Sequence, residues 1–218
     1  MKFKYKEKEF EIKKMGHATI MIEFENIKLA IDPYRLKTDF HDVDFIFITH
    51  EHFDHFSMDD IKKIKVESTT FIFPKSMKEK VKDIKNAILM DVNETKEVKY
   101  NGNKMRIKTI PAYNLNKRFH QKARDWVGFL INIDGIKFYY TGDSDFIDEM
   151  KDIQTDFLFL PVCGEYVMNV NEAINLCNEI KPEYAIPINY GEIMGILDNA
   201  IELKENYSKT LILKNEYF

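Results

Sequence analysis

Apolar positions along the chain fall into short runs broken by polar turns, which predicts a β-rich fold with interspersed helices. Thr19–Asp32 is a β-branched and aromatic run, a two-residue turn at Glu25 and Asn26, and a second run. Gly128–Thr141 repeats that plan around Asp134 and Gly135. Both read as hairpins, because Asn and Asp-Gly turns between apolar runs favour the tight β-turn. Each hairpin leads into an acidic turn, Asp32-Pro33 in one case and Gly142-Asp143 in the other. The recurrence suggests two related halves, about 1–100 and 101–218. Further strands are expected at Val43–Thr49, Thr69–Phe73, Lys104–Ile110, Asp156–Leu160, Tyr184–Ile188 and Thr210–Leu213.

Helices are expected between these strands. Ser57, Ser76 and Asn169 each precede an acid by three positions (Asp60, Glu79, Glu172), the capping-box spacing. The helices they open run to about Lys65, to about Lys85 and to just before Pro182; a fourth covers about Leu197–Asn206. Two sheets packed face to face with helices outside, an α+β four-layer αβ/βα sandwich in a single domain, fits this order.

The chemistry lies where the Val43–Thr49 run ends. His50, His52, Asp54 and His55 put three imidazoles and a carboxylate within six residues. Burying so many imidazoles without partners is costly, and imidazole with carboxylate suits borderline divalent ions. In an extended segment His50 and His52 point the same way, so they can share one ion, while Asp54 and His55 can reach a second. Asp54 stands where a helical zincin motif needs histidine, which excludes that reading. Other strand ends offer Asn114 and the loop carrying His120, then Asp143 after the tight turn at Gly142, then Asn189. His17 lies in the turn that opens the first hairpin and reads either as a structural histidine or as a catalytic rim residue. Asp32 is expected to orient a neighbour. Trp126, Tyr113 and Tyr190 read as packing.

Composition narrows the class. At 218 residues, 44% hydrophobic and 31% charged, the chain is a soluble globular protein with room for a core. A net charge of −4, with no basic stripe, gives no support for nucleic-acid binding. The N-terminus has no apolar signal region, and no segment is long enough to span a membrane. Cys163 and Cys177 show no ligand spacing, so a reducing cytoplasm is the simplest location.

The His-x-His-x-Asp-His string with Thr141-Gly142-Asp143 resembles the metallo-β-lactamase-fold hydrolases. More narrowly, the chain is similar to their UPF0173 and ascorbate-6-phosphate-lactonase-like branch. Gly16–Ala18, Ile31–Pro33, Ile110–Tyr113, Trp126–Phe129, Leu160–Gly164, Tyr166–Met168 and Ile186–Gly191 carry that likeness over nearly the whole chain. The resemblance implies the αβ/βα sandwich. It implies His50, His52 and a third histidine at one ion, with Asp54, His55, a terminal histidine and bridging Asp143 at a second. Two positions depart from it. Asn114 stands where histidine is common, leaving His120 or Asn114 to complete the first site. Asn189 stands at the terminal ligand, with Glu165 and Glu192 nearby as alternative oxygen donors. The expected metal is zinc, as one ion or two, with manganese, iron or nickel as alternatives.

The expected activity is hydrolysis of a small-molecule ester, lactone, amide or phosphodiester by a metal-bound hydroxide, with Asp54 orienting it. A one-ion enzyme on His50, His52 and His120 is a variant of this. The rival is a weakened or inactive metal- or ligand-binding relative, because position 189 is asparagine. A homo-oligomer is compatible with either.

Overall fold

The computed structural model describes residues 1–191 and 193–215, which divide into two compact units. The first holds residues 1–90 and the segment from Leu213 on; the second holds 91–212.

The first unit is a seven-stranded sheet whose strands lie in chain order: β1 (Lys2–Tyr5), β2 (Lys8–Lys14), β3 (Ile20–Phe24), β4 (Ile27–Ile31), β5 (Val43–Phe47), β6 (Lys65–Pro74) and β7 (Ala87–Met90). β1 to β4 pair antiparallel, and β4 to β7 pair parallel. The expected hairpin is β3–β4, with Glu25 at φ 49° as the turn demands. β5 is apolar at nearly every position because a parallel strand is covered on both faces. Helix α1 (Met58–Ile64) buries Ile61 and Ile64 among Ile46, Ile48 and Phe73.

The second unit is a six-stranded sheet. Its strands are β8 (Thr95–Tyr100), β9 (Asn103–Pro111), β10 (Val127–Ile133), β11 (Ile136–Tyr140), β12 (Phe157–Pro161) and β13 (Tyr184–Ile188), again neighbours in chain order. The plan of the first sheet recurs. β8 to β11 are antiparallel and β11 to β13 parallel. The β10–β11 hairpin turns on Asp134 (φ 49°) and Gly135 (φ 84°). Gly128 in β10 is a close-approach glycine: a Cβ there would lie 2.5 Å from the carbonyl oxygens of both Tyr140 and Thr141.

Helix α2 (Lys78–Val81) departs from expectation. Ser76 does not cap it. A 3-10 turn, Lys75–Met77, follows β6 directly, and the helix stops at Val81. Met77 and Val81 are buried in the core there, and Ile84 packs against the same cluster from the turn that follows the helix. At α1, Ser57 accepts from the Asp60 N–H, but the reciprocal arm is missing because the Asp60 carboxylate takes the Arg35 and Leu36 N–H groups, each at 2.9 Å. Helix α3 (Val170–Ile180) has the full capping box of Asn169 and Glu172, both bonds 2.9 Å, and ends in a left-handed Lys181 before Pro182. Helix α4 spans Leu197–Asn206.

No strand forms at Thr210–Leu213. Thr210 makes a single bridge to Ala185, and the chain leaves the β13 edge for the first unit. β1, β2, β7 and β8 are strands the apolar pattern did not announce; β1 and β8 alternate between exposed and half-buried positions only.

Candidate metal centre

In the first unit the donors hang from the ends of β4 and β5. Asp32 follows β4 in a left-handed conformation (φ 48°), fully buried. Its Oδ1 accepts the Thr49 N–H at 2.8 Å, and its Oδ2 accepts the Thr49 hydroxyl at 2.7 Å and the His55 Nδ1–H at 2.7 Å. Asp32 therefore orients its neighbours, as expected of it. The Thr49 hydroxyl has one hydrogen, which it gives to Asp32. Its 2.9 Å contact with His50 Nδ1 must then be a bond donated by the ring. Both His50 and His55 are fixed as Nδ1–H tautomers, with lone pairs on Nε2.

The loop then folds back, because the His52 carbonyl accepts from the His55 and Phe56 N–H groups. His50 Nε2 lies 3.0 Å from His52 Nδ1, so the two rings aim nitrogens at one point, as their spacing predicts. The His55 ring centroid is 4.1 Å from that of His50. Asp54 Oδ2 lies 3.8 Å from His55 Nε2 and 3.6 Å from His17 Nε2, and all three residues are buried. One donor atom from each of His17, Asp54 and His55 falls within 4.8 Å of the others. Asp32, His50 and His55 form another such group, but the Asp32 oxygens are occupied by the three bonds above.

In the second unit the donors hang from the ends of β9, β11 and β13. His120 is buried in a left-handed turn (φ 57°). Its Nδ1 donates to the Tyr166 carbonyl at 3.1 Å, which again leaves the lone pair on Nε2, 3.3 Å from Asp143 Oδ2. Asn114 is spatially adjacent but acts as a brace: its Nδ2 donates to the Phe119 carbonyl at 3.0 Å and the Tyr166 carbonyl at 2.6 Å. Lys117 and the Leu115 N–H bind Asp145, fastening the same loop. Asn189, left-handed at φ 55° and fully buried, donates its Nδ2 to Asp143 Oδ1 at 2.9 Å.

Glu165 is exposed and engaged with the Tyr166 hydroxyl, whose pKa it raises, so it is not aimed at the donors. Glu192 lies outside the described residues. Trp126 packs edge-on against His120 at 5.5 Å. Tyr113 and Tyr190 belong to the second unit's core, where burial pushes the Tyr190 hydroxyl up to about 12. Both cysteines are free thiols. Thr49 and the Tyr166 carbonyl were not foreseen. A threonine directly before the first histidine was the available signal for one; a backbone carbonyl leaves none.

The donor chemistry fits a divalent ion. At zinc–ligand distances near 2.0–2.1 Å, two tetrahedral ligands sit about 3.3–3.4 Å apart. His120 to Asp143 matches that, and the Asp54 pairs at 3.6 and 3.8 Å are slightly wider. A separation of 3.6 Å is too long for a hydrogen bond but suits two groups sharing a cation.

Two mixed sheets of one plan, each bearing buried imidazole and carboxylate donors at its strand ends, define a metal-site fold class. The chain belongs to the β-lactamase superfamily, whose domain profile matches residues 11–189, and has the metallo-β-lactamase fold. It is 26% identical over 195 residues to a UPF0173 metal-dependent hydrolase of Carboxydothermus hydrogenoformans, covering 81% of this chain and 82% of the relative. It is equally identical over 221 residues to one from Pyrococcus furiosus, covering 92% and 94%. A Parabacteroides distasonis structure provisionally assigned as a metal-dependent hydrolase superposes with TM-score 0.84 and 28% identity, covering 99% of this chain and 98% of that one. Igni18, a metallo hydrolase of Ignicoccus hospitalis, shares the fold at TM-score 0.76 and 19% identity, covering 94% and 95%.

Proposed function

We propose that the chain is a metal-dependent hydrolase acting on a small-molecule ester, lactone, amide or phosphodiester. The observation that carries this is the fixing of His50, His55 and His120 as Nε2 donors by partners on Nδ1, an arrangement that leaves lone pairs for a cation. Candidate ligands in the first unit are His50, His52, Asp54 and His55; those in the second unit are His120 and Asp143. Asn114 is a brace for the His120 loop, and Asn189 a hydrogen-bond donor to Asp143. The imidazole-rich set favours zinc over harder ions. A bound divalent ion supplies Lewis acidity, which makes water nucleophilic near neutral pH and polarises the electrophilic oxygen. Asp54 would help hold the ion and orient the attacking water. Asp32 and Thr49 hold the rings so that their nitrogens do not have to reorganise. A cytoplasmic location suits the free thiols, and among the described residues no helix is long and apolar enough to cross a membrane.

The test is metal analysis of protein purified without chelator, followed by a panel of lactones, phosphodiesters and acyl esters. Bound metal with hydrolysis that is lost in His52→Ala supports the assignment. Bound metal with no turnover across the panel overturns it in favour of a binding protein.

A further inference from the structure

The Asp54–His55 pair needs more donors, since two ligands do not hold a zinc-like ion firmly and three or four protein ligands are usual. Asn189 lies in the second unit, where its Nδ2 donates to Asp143 Oδ1 at 2.9 Å, so further donors are sought within the first unit. We propose that His17 is a metal ligand, completing with Asp54 and His55 a cation site built wholly within the first unit. The proposal deepens the hydrolase assignment and rests on it.

Four observations carry it. His17 and His55 are 0% exposed and Asp54 is 5% exposed, so the donors are desolvated together. His17 Nε2 stands 3.6 Å from Asp54 Oδ2, beyond hydrogen-bond reach yet close to the spacing of two ligands on one ion. His55 Nε2 stands 3.8 Å from the same oxygen, and its Nδ1 is committed to Asp32, so its lone pair is on the nitrogen nearer Asp54. The turn that carries His17 is also anchored. The Met15 N–H bonds the Thr19 carbonyl at 2.9 Å, and the buried Lys14 ammonium bonds the Gly16 carbonyl, with Gly16 at φ 141°. The buried lysine and the positive-φ glycine thus fix the turn that positions the ring.

The alternative chemistry is an ion pair between protonated His17 and Asp54, and metal content separates the two. Protein stripped with chelator is titrated with Co2+, read by visible absorption and by elemental analysis. His17→Gly is expected to bind about one equivalent less than the native chain, and free imidazole is expected to restore that equivalent and its absorption band. Asn189→Leu is expected to keep it. If the glycine variant proves unstable, His17→Gln preserves side-chain bulk and gives the same readout as a weakened second binding phase. Native protein that binds cobalt, with both His17 variants binding equally well, overturns the His17 assignment alone. Native protein that takes up no cobalt overturns the hydrolase assignment itself.

Discussion

Asp32 holds His55 through a 2.7 Å bond to Nδ1, and so turns the opposite nitrogen toward Asp54 without itself lending an oxygen to the donor set. The same carboxylate reaches His50 indirectly, through the Thr49 hydroxyl. Asp32→Ala frees both rings to adopt the other tautomer. Its metal affinity should fall by about 10–100-fold, the usual effect of removing an outer partner of a ligating histidine. Competition against a chromophoric chelator measures this; an affinity within about twofold of native would show that Asp32 has only a folding role.

Asn189 and Asp143 give a second test. Asn189→Asp opposes two buried carboxylates where an amide now donates. The metal-free protein should lose about 2 kcal/mol, or about 4–8 °C in Tm for a chain of this size. A divalent ion that neutralises the pair should recover most of that loss. Differential scanning calorimetry with and without Zn2+ reads both values, and a variant whose metal-induced shift is no larger than native contradicts the expectation.

Asp60 links acid stability to the fold. Burial would raise its pKa, but the Lys63 ammonium, the Ser57 hydroxyl and the Arg35 and Leu36 N–H groups hold it below the usual carboxylate range. A folded pKa below the unfolded one stabilises the chain fully above the unfolded value of about 4, and the contribution disappears as pH falls through the folded value. Asp60→Asn should be destabilised by about 1–3 kcal/mol at neutral pH, with the gap to native narrowing below about pH 4. Urea denaturation of the two proteins across that window is the measurement. A gap that stays constant with pH would remove the carboxylate from the account.

The loop bearing His120 depends on Asn114, whose amide bonds two carbonyls. Asn114→Ala leaves those acceptors short and should cost about 1–3 kcal/mol locally. Arg118 and Arg124 are exposed in that segment, so tryptic cleavage there should accelerate by about tenfold or more. Unchanged cleavage kinetics would mean that Lys117, Asp145 and Leu115 suffice to hold the loop.

Much of this was legible in residue order. Parallel strands buried on both faces announce themselves as apolar runs, which is why β5, β12 and β13 stood out. Both hairpins carried their turn chemistry at Glu25 and at Asp134-Gly135. Edge and outer strands did not stand out: β8 reads Thr-Lys-Glu-Val-Lys-Tyr and buries no residue fully. Among the donors, the cluster from His50 to His55 was evident because its members are adjacent in sequence. The hydrogen-bond partners of Asn114 and Asn189 were not, because an amide carries both a donor nitrogen and an acceptor oxygen, and the Tyr166 carbonyl and Asp143 carboxylate their nitrogens meet lie far away in sequence.

Gly128 extends this sensitivity to a position that carries no chemistry. Any side chain there meets the Tyr140 and Thr141 carbonyls at 2.5 Å, where β11 ends three residues before Asp143. A saturation library scored for metal uptake should therefore show residue 128 as intolerant as a ligand, alanine included. The boundary of the candidate site, mapped by tolerance to mutation, should run well beyond the side chains proposed to hold the ion.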